Sequence, residues 1–117
     1  MKERRRKEVR SVSDREIIRK VIYDIVPAEL IEQVILFGSR ARGEETADSD
    51  TDICILFKEE QTREDMKRYR IALNRVFALD YHMATDILMK SRYSYDRYKG
   101  VMGGIEYAVA QEGVALL

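Results

Sequence analysis

Apolar positions along the chain follow two periods, and the switch between them lays out the elements. Ile17, Ile18, Val21, Ile22 and Ile25 recur at helical spacing. Ser13, with Glu16 three residues later, carries the signature of a capping box, so this helix is predicted to start at Ser13. Pro27 ends it, or opens a short second helix through Glu32. Val34, Ile35, Leu36 and Phe37 then form a wholly apolar run backed by Gly38, which predicts a buried central strand. Residues 39–43 read as a turn entering a short helix, and 44–49 as a polar loop. Residues 52–57 repeat the apolar run and predict a second strand buried on both faces. Residues 62–79 predict a long helix with Met66, Tyr69, Ile71, Leu73, Val76 and Phe77 facing inward. A third strand is expected over 81–89, with Asp86 in its interior. From Ser91 the chain reads as helical or irregular; Gly100, Gly103 and Gly104 punctuate it before a final helix over 105–111.

Strands interleaved with helices predict an α+β fold with an α/β-like order. A length of 117 residues fits one domain. Residues 1–12 are set apart as a basic tail or helix start, and 13–117 form the domain. That start, with Lys2, Arg4, Arg5, Arg6, Lys7 and Arg10, is either a solvated end or an electrostatic contact with RNA or an acidic partner. Charged residues make up 36% of the chain, yet the formal net charge is zero. That balance argues against strong nucleic-acid binding through phosphates, which favours a basic protein, but not against a small nucleotide. A single cysteine, Cys54, excludes an internal disulfide and a cysteine metal cluster, and it fits the cytoplasm. No apolar run reaches the roughly 18–20 residues of a membrane span, so no membrane contact is expected.

The candidate chemistry begins at Asp50 and Asp52. Residues two apart on a strand share a face, so both carboxylates leave one side of the second strand near its start. Two anions this close invite a cation, and hard oxygen donors suit Mg²⁺ or Mn²⁺. An isolated D-x-D is also an ordinary loop sequence. Asp86 adds weight, because a carboxylate inside an apolar strand needs a cation or an ion-pair partner. If its strand lies beside that of Asp50 and Asp52, three acids share one place, as two-metal displacement at phosphorus requires. Gly38 and Ser39 offer the complementary half. Glycine lets backbone approach a phosphate, and Ser39 at a helix start brings free N–H groups and a favourable dipole. Arg40 and Arg42 add positive charge; the plainer alternative makes Ser39 a simple helix cap.

Together, Phe37-Gly38-Ser39-Arg40-Ala41-Arg42-Gly43 and Ser49-Asp50-Thr51-Asp52-Ile53 closely resemble the DNA polymerase β-like nucleotidyltransferases. The likeness is to their minimal prokaryotic branch, the MNT domains. Asp86 matches the third carboxylate of a later strand, and Gln111 to Leu116 resembles the way such domains finish. The resemblance runs from about Ile31 to Leu117. It implies a small mixed β-sheet with helices packed mainly on one face. It also implies that Gly38 and Ser39 contact the β- and γ-phosphates of ATP or another nucleoside triphosphate. Asp50 and Asp52 would bind two Mg²⁺ ions, Mn²⁺ being the alternative. Asp86 would bind the ion on the acceptor side and help activate the acceptor hydroxyl, and Arg42 would assist the phosphates.

Three acceptor readings follow. MNT domains pair with small helical HEPN-domain proteins, which they adenylylate on tyrosine as antitoxins; a short chain without its own acceptor surface fits this. A small-molecule nucleotidyltransferase of the aminoglycoside-resistance kind usually carries an extra helical domain, which a homo-oligomer of this chain would have to replace. A non-catalytic module that masks a partner would not need three acids. His82 shares strand parity with Asp86, but a lone histidine at a strand start is more often simply hydrogen-bonded. Cys54 reads as a small core residue. Tyr93, Tyr95 and Tyr98, among Arg92, Arg97 and Lys99, form a partner surface, a base-stacking patch or a helix packed on the sheet.

Overall fold

The computed structural model describes residues 10–38 and 50–116. Helix α1 (Arg10–Ile25) leads through a 3₁₀ turn, Ala28–Leu30, into strand β1 (Ile31–Phe37). Strand β2 (Thr51–Phe57), helix α2 (Arg63–Tyr81) and strand β3 (Thr85–Ser91) follow. Helices α3 (Arg92–Tyr98) and α4 (Ile105–Glu112) and a two-residue strand β4 (Val114–Ala115) complete the order. The sheet order is β3-β2-β1-β4. β1 runs antiparallel to both β2 and β4, whereas β2 and β3 are parallel, so the sheet is mixed as expected.

Side-chain alternation divides the core between the two faces of the sheet. Val34 and Leu36 of β1, Ile53, Ile55 and Phe57 of β2, and Ile87 and Met89 of β3 face α1 and α2. There they meet Ile18, Val21 and Ile22 of α1 and Leu73 and Phe77 of α2. Each such side chain, when fully buried, contributes about 1.5–3 kcal/mol, which makes this layer the main stabilising contact. On the opposite face Ile35, Phe37, Cys54 and Leu56 are covered by Tyr95 of α3 and Val109 of α4. The two long helices therefore share one face, and two short ones cover part of the other.

Several boundaries differ from the sequence reading for identifiable reasons. Residue 13 lies inside α1, which is already helical at Arg10, so Ser13 does not cap it. The expected helix through Glu32 is only a 3₁₀ turn, and β1 starts at Ile31, which is buried opposite Phe57. Helix α2 starts where expected; the Thr62 hydroxyl accepts the Asp65 N–H at 3.0 Å and caps it. Ile71, however, is 56% exposed. It stands two residues from Leu73, about 200° around the helix, so the same spacing that buries Leu73 and Phe77 turns Ile71 outward.

The largest difference concerns residues 81–84. Helix α2 continues to Tyr81, and His82 takes a left-handed conformation at φ 53°. The N–H groups of His82 and Met83 both donate to the Phe77 carbonyl. Tertiary hydrogen bonding and the burial of Met83 thus override an alternating pattern that looks extended. His82 belongs to the helix end and not to a strand, so its shared parity with Asp86 has no structural meaning. Left-handed backbone strains a β-carbon. His82→Gly is expected to raise the unfolding free energy by about 0.5–1 kcal/mol, to be checked by urea denaturation.

Burial on the α3–α4 face also makes Cys54 a core thiol. Its pKa is pushed up to about 12, chiefly by desolvation, with the Lys90 charge pulling the other way. The folded thiol therefore stays protonated above pH 9, where the unfolded one ionises. The unfolded state then binds fewer protons, and stability falls as pH rises. Between about pH 9 and 12 this thiol should add a slope of at most about −1.4 kcal/mol per pH unit. Denaturant titrations of wild type and Cys54→Ala across that range should differ by that slope.

Candidate functional site

The site lies where β1 ends and β2 and β3 begin. Register puts Asp52 opposite Phe37 of β1 on one side and opposite Asp86 of β3 on the other. Paired residues on neighbouring strands point to the same face, so Asp52 and Asp86 stand side by side. Asp50, two residues before Asp52, precedes β2 and is exposed. This is the face that carries Cys54, Leu56 and Leu88 further along, so the carboxylates occupy the end that α3 and α4 leave open.

Local structure on the other face fixes Asp86. Thr85 faces α2, where its hydroxyl donates to the Asn74 side-chain oxygen at 2.7 Å. The Arg70 Nε also reaches the Ile87 carbonyl, at 3.4 Å. The Thr51 N–H donates to the Ala84 carbonyl at 2.9 Å, joining the first residue of β2 to the chain just before β3. With Thr85 tied to α2, alternation sends Asp86 to the far side. The Thr85–Asn74 hydrogen bond thereby sets the direction of Asp86; a polar residue on the inward side of α2 is its sequence signal.

Asp86 itself departs from expectation. It is the second residue of β3, not an interior one, and it is exposed. The strand starts at Thr85 because α2 absorbs 81. The argument from a buried carboxylate therefore fails, and adjacency to Asp52 replaces it. Among the described residues Asp86 makes no ion pair.

Gly38 joins the acids to the segment after β1. Its φ is +75°, and a β-carbon there would collide with Oδ2 of Asp52. Backbone and carboxylate thus touch where any other residue would separate them. Ser39, Arg40 and Arg42 lie outside the described residues. Further along the same face, Lys90 pairs with the nearly buried Glu106 of α4 at 3.3 Å, tying β3 to that helix. Tyr95 is packed in the core, whereas Tyr93 and Tyr98 are exposed, so the tyrosine cluster divides between packing and surface.

Among the described residues, no three His, Cys, Asp or Glu side chains converge closely enough to hold one metal ion. What the structure provides is the donor chemistry and the backbone register: hard carboxylate oxygens on one sheet end, beside a backbone that lacks a side chain.

A family profile described as the nucleotidyltransferase domain matches residues 14–99. The chain belongs to this family. The match contains β1, Gly38, Asp50, Asp52, α2 and Asp86, so the nucleotidyltransferase core includes every candidate carboxylate. No curated protein sequence matches the chain. Among solved structures, a variant of the MntA–HpeT toxin–antitoxin gives a TM-score of 0.61 at 19% identity, over 88% of this chain and 72% of that one. A toxin–antitoxin with AMP-PNP gives 0.59 at 21%, over the same shares. A tri-AMPylated Shewanella oneidensis HEPN toxin in complex with MNT antitoxin gives 0.55 at 18%, over 92% of this chain and 71% of that one. At these identities the likeness is one of fold, and it places this nucleotidyltransferase domain in the mixed-sheet architecture those proteins share. Among the described residues no helix is long and apolar enough to cross a membrane.

Proposed function

We propose that this domain transfers AMP from ATP to a hydroxyl of a HEPN-type toxin, and so serves as the antitoxin of a toxin–antitoxin pair in the cytoplasm. The observation that carries the reading is the placement of Asp52 directly opposite Asp86, with Gly38 pressed against Asp52. Two carboxylates on adjacent strands repel, and a bound divalent cation would offset that repulsion. The family match, and the fold shared with toxin–antitoxin proteins that include an AMP-PNP complex and an AMPylated toxin, support the acceptor class.

In this reading Asp50, Asp52 and Asp86 hold two divalent ions, Mg²⁺ or Mn²⁺, once their side chains turn toward one another. When bound, such ions neutralise triphosphate charge and lower the pKa of an acceptor hydroxyl. The chain's own contribution is placement. Gly38 keeps the backbone close to Asp52, leaving room for phosphate oxygens. Ser39 donates to the β- and γ-phosphates, and Arg42 balances their charge. Asp86 stands on the acceptor side, where a carboxylate can take the hydroxyl proton as the oxygen attacks the α-phosphorus and pyrophosphate leaves.

The test is incubation with α-labelled ATP, Mg²⁺ and a HEPN-domain protein, a small helical protein encoded beside this chain being the first choice. Label should move to that protein, disappear with Asp52→Asn, and fail to appear with EDTA. Label reaching only a small alcohol such as an aminoglycoside would overturn the acceptor assignment. Tight binding to the HEPN protein with no label transfer would overturn the catalytic one.

A further inference from the structure

Five large apolar side chains lie exposed within one short stretch, from α3 to the start of α4. Tyr93 is 67% exposed, Tyr98 45%, Val101 53%, Met102 81% and Ile105 44%. The other exposed large apolar residues among the described ones, Tyr23, Ile71 and Leu79, lie on α1 and α2, on the opposite side of the sheet. Single exposed apolar residues need no explanation, but a cluster marks a surface meant to be covered. Its makeup also fits: tyrosine, methionine and arginine are the residues enriched in interface centres.

Charge points to what covers it. Asp96 is already engaged by Arg92 at 3.0 Å and Lys99 at 3.1 Å. The remaining cation, Arg97, donates to the Tyr93 hydroxyl at 2.9 Å and stands 5.7 Å from the centre of the Tyr98 ring. Between Arg92 and Ile105 the charge is +2, from three cations and one anion, in a chain whose formal net charge is zero. Arg97 locks both tyrosines in place, which lowers the entropy lost when a partner packs on them. Helices α3 and α4 pack on the same side of the sheet as Asp52 and Asp86, so a partner seated on this corner lies on the side where those carboxylates stand.

We infer that the acceptor protein docks on the α3–α4 corner, through an apolar, net acidic face seated on Tyr93, Tyr98, Val101 and Met102 and paired with Arg97. The inference rests on the proposed transfer to a HEPN-type protein and adds where that protein binds. The corner sets recognition, and the carboxylates set chemistry.

Val101→Asp, Met102→Asp and Arg97→Glu change exposed side chains and should fold normally; Ile71→Asp, on the outer side of α2, is the control. The probe is the same HEPN-domain protein, with binding followed by calorimetry and transfer by α-labelled ATP. The three corner variants should weaken binding about tenfold or more and raise the acceptor KM, with ATP affinity and kcat at saturating acceptor near wild type. The Ile71 variant should behave as wild type. Corner variants that bind and transfer normally would overturn the inference while leaving the proposed reaction intact, and so would loss of binding in Ile71→Asp alone. Dissociation of a homodimer by Met102→Asp, with acceptor binding unchanged, would assign the corner to a second copy and overturn it as well. A wild-type chain that neither binds nor labels the HEPN protein would overturn both the reaction and the docking surface.

Discussion

Asp86→Asn is expected to slow nucleotidyl transfer by about 10²–10³-fold while leaving the fold as stable as before or slightly more so. The two halves of this result have different causes. Asp86 sits directly opposite Asp52 on the neighbouring parallel strand, and strands in a sheet are about 4.8 Å apart. Like charges in that relation destabilise a sheet by about 0.2–1 kcal/mol. Removing one should raise the melting temperature of the metal-free protein by about 1–5 °C, and the gain should shrink as salt screens the pair. Transfer should move the other way. An amide cannot bind a divalent ion or accept the hydroxyl proton as a carboxylate does, and loss of one such electrostatic contact lowers rates by about 10²–10³-fold. Asp52→Asn should lose at least as much, because Asp52 lies between Gly38 and Asp86. Thermal scans without metal, paired with initial rates of label transfer, separate the two effects. Lower stability with unchanged transfer would make Asp86 a structural residue.

The site is partly legible in the sequence. The apolar runs ending in Phe37 and Phe57 announced buried strands, because a strand covered on both faces leaves no polar alternation to confuse the reading. The spacing of Asp50 and Asp52 predicts a shared face; the structure puts Asp52 in β2 and leaves Asp50 just before it, where strand alternation does not fix its direction. What spacing could not supply was register. Nothing in the order of residues says that Asp52 pairs with Asp86 rather than with Thr85 or Ile87; the Thr85–Asn74 hydrogen bond and the end of α2 settle that. The pattern predicts a buried Asp86; the structure exposes it, and adjacency to Asp52 is the property that matters.

The other departures share a cause. For His82 and Ile71 a local period predicts the wrong environment, because contacts further along the chain set the frame. Residues Tyr81 to Met83 alternate like a strand, but capping bonds to Phe77 and the burial of Met83 keep the segment with the helix. Strand β4 was missed because two residues carry no period at all. Gly113, whose β-carbon would collide with Ile35 and the Val109 carbonyl, is what lets that turn lie against β1. The exposed corner of α3 and α4 carried a composition signal in its tyrosines and arginines. Only the structure shows that Tyr95 is spent on the core while Tyr93 and Tyr98 remain outside.

Gly38→Ala should damage both stability and transfer, for two reasons that a double-mutant cycle can separate. The first is conformational: at φ +75° a β-carbon costs about 1–2 kcal/mol. The second is steric, because that β-carbon would meet Oδ2 of Asp52 and lie 3.0 Å from its Cγ. The carboxylate must then turn away, and displacement of a catalytic group by about 1 Å can cost about 100-fold. The variant should therefore lose at least about 100-fold in kcat/KM and melt roughly 5–10 °C lower. Asn tolerates the left-handed backbone but keeps the β-carbon, so Gly38→Asn should recover part of the stability and none of the transfer. In an Asp52→Ala background, which removes Oδ2 and Cγ, Gly38→Ala should cost measurably less stability than in wild type, leaving the backbone strain and a 3.3 Å contact with the Cβ at position 52. A cycle with no coupling between positions 38 and 52 would show that the glycine serves the turn alone and does not place the carboxylate.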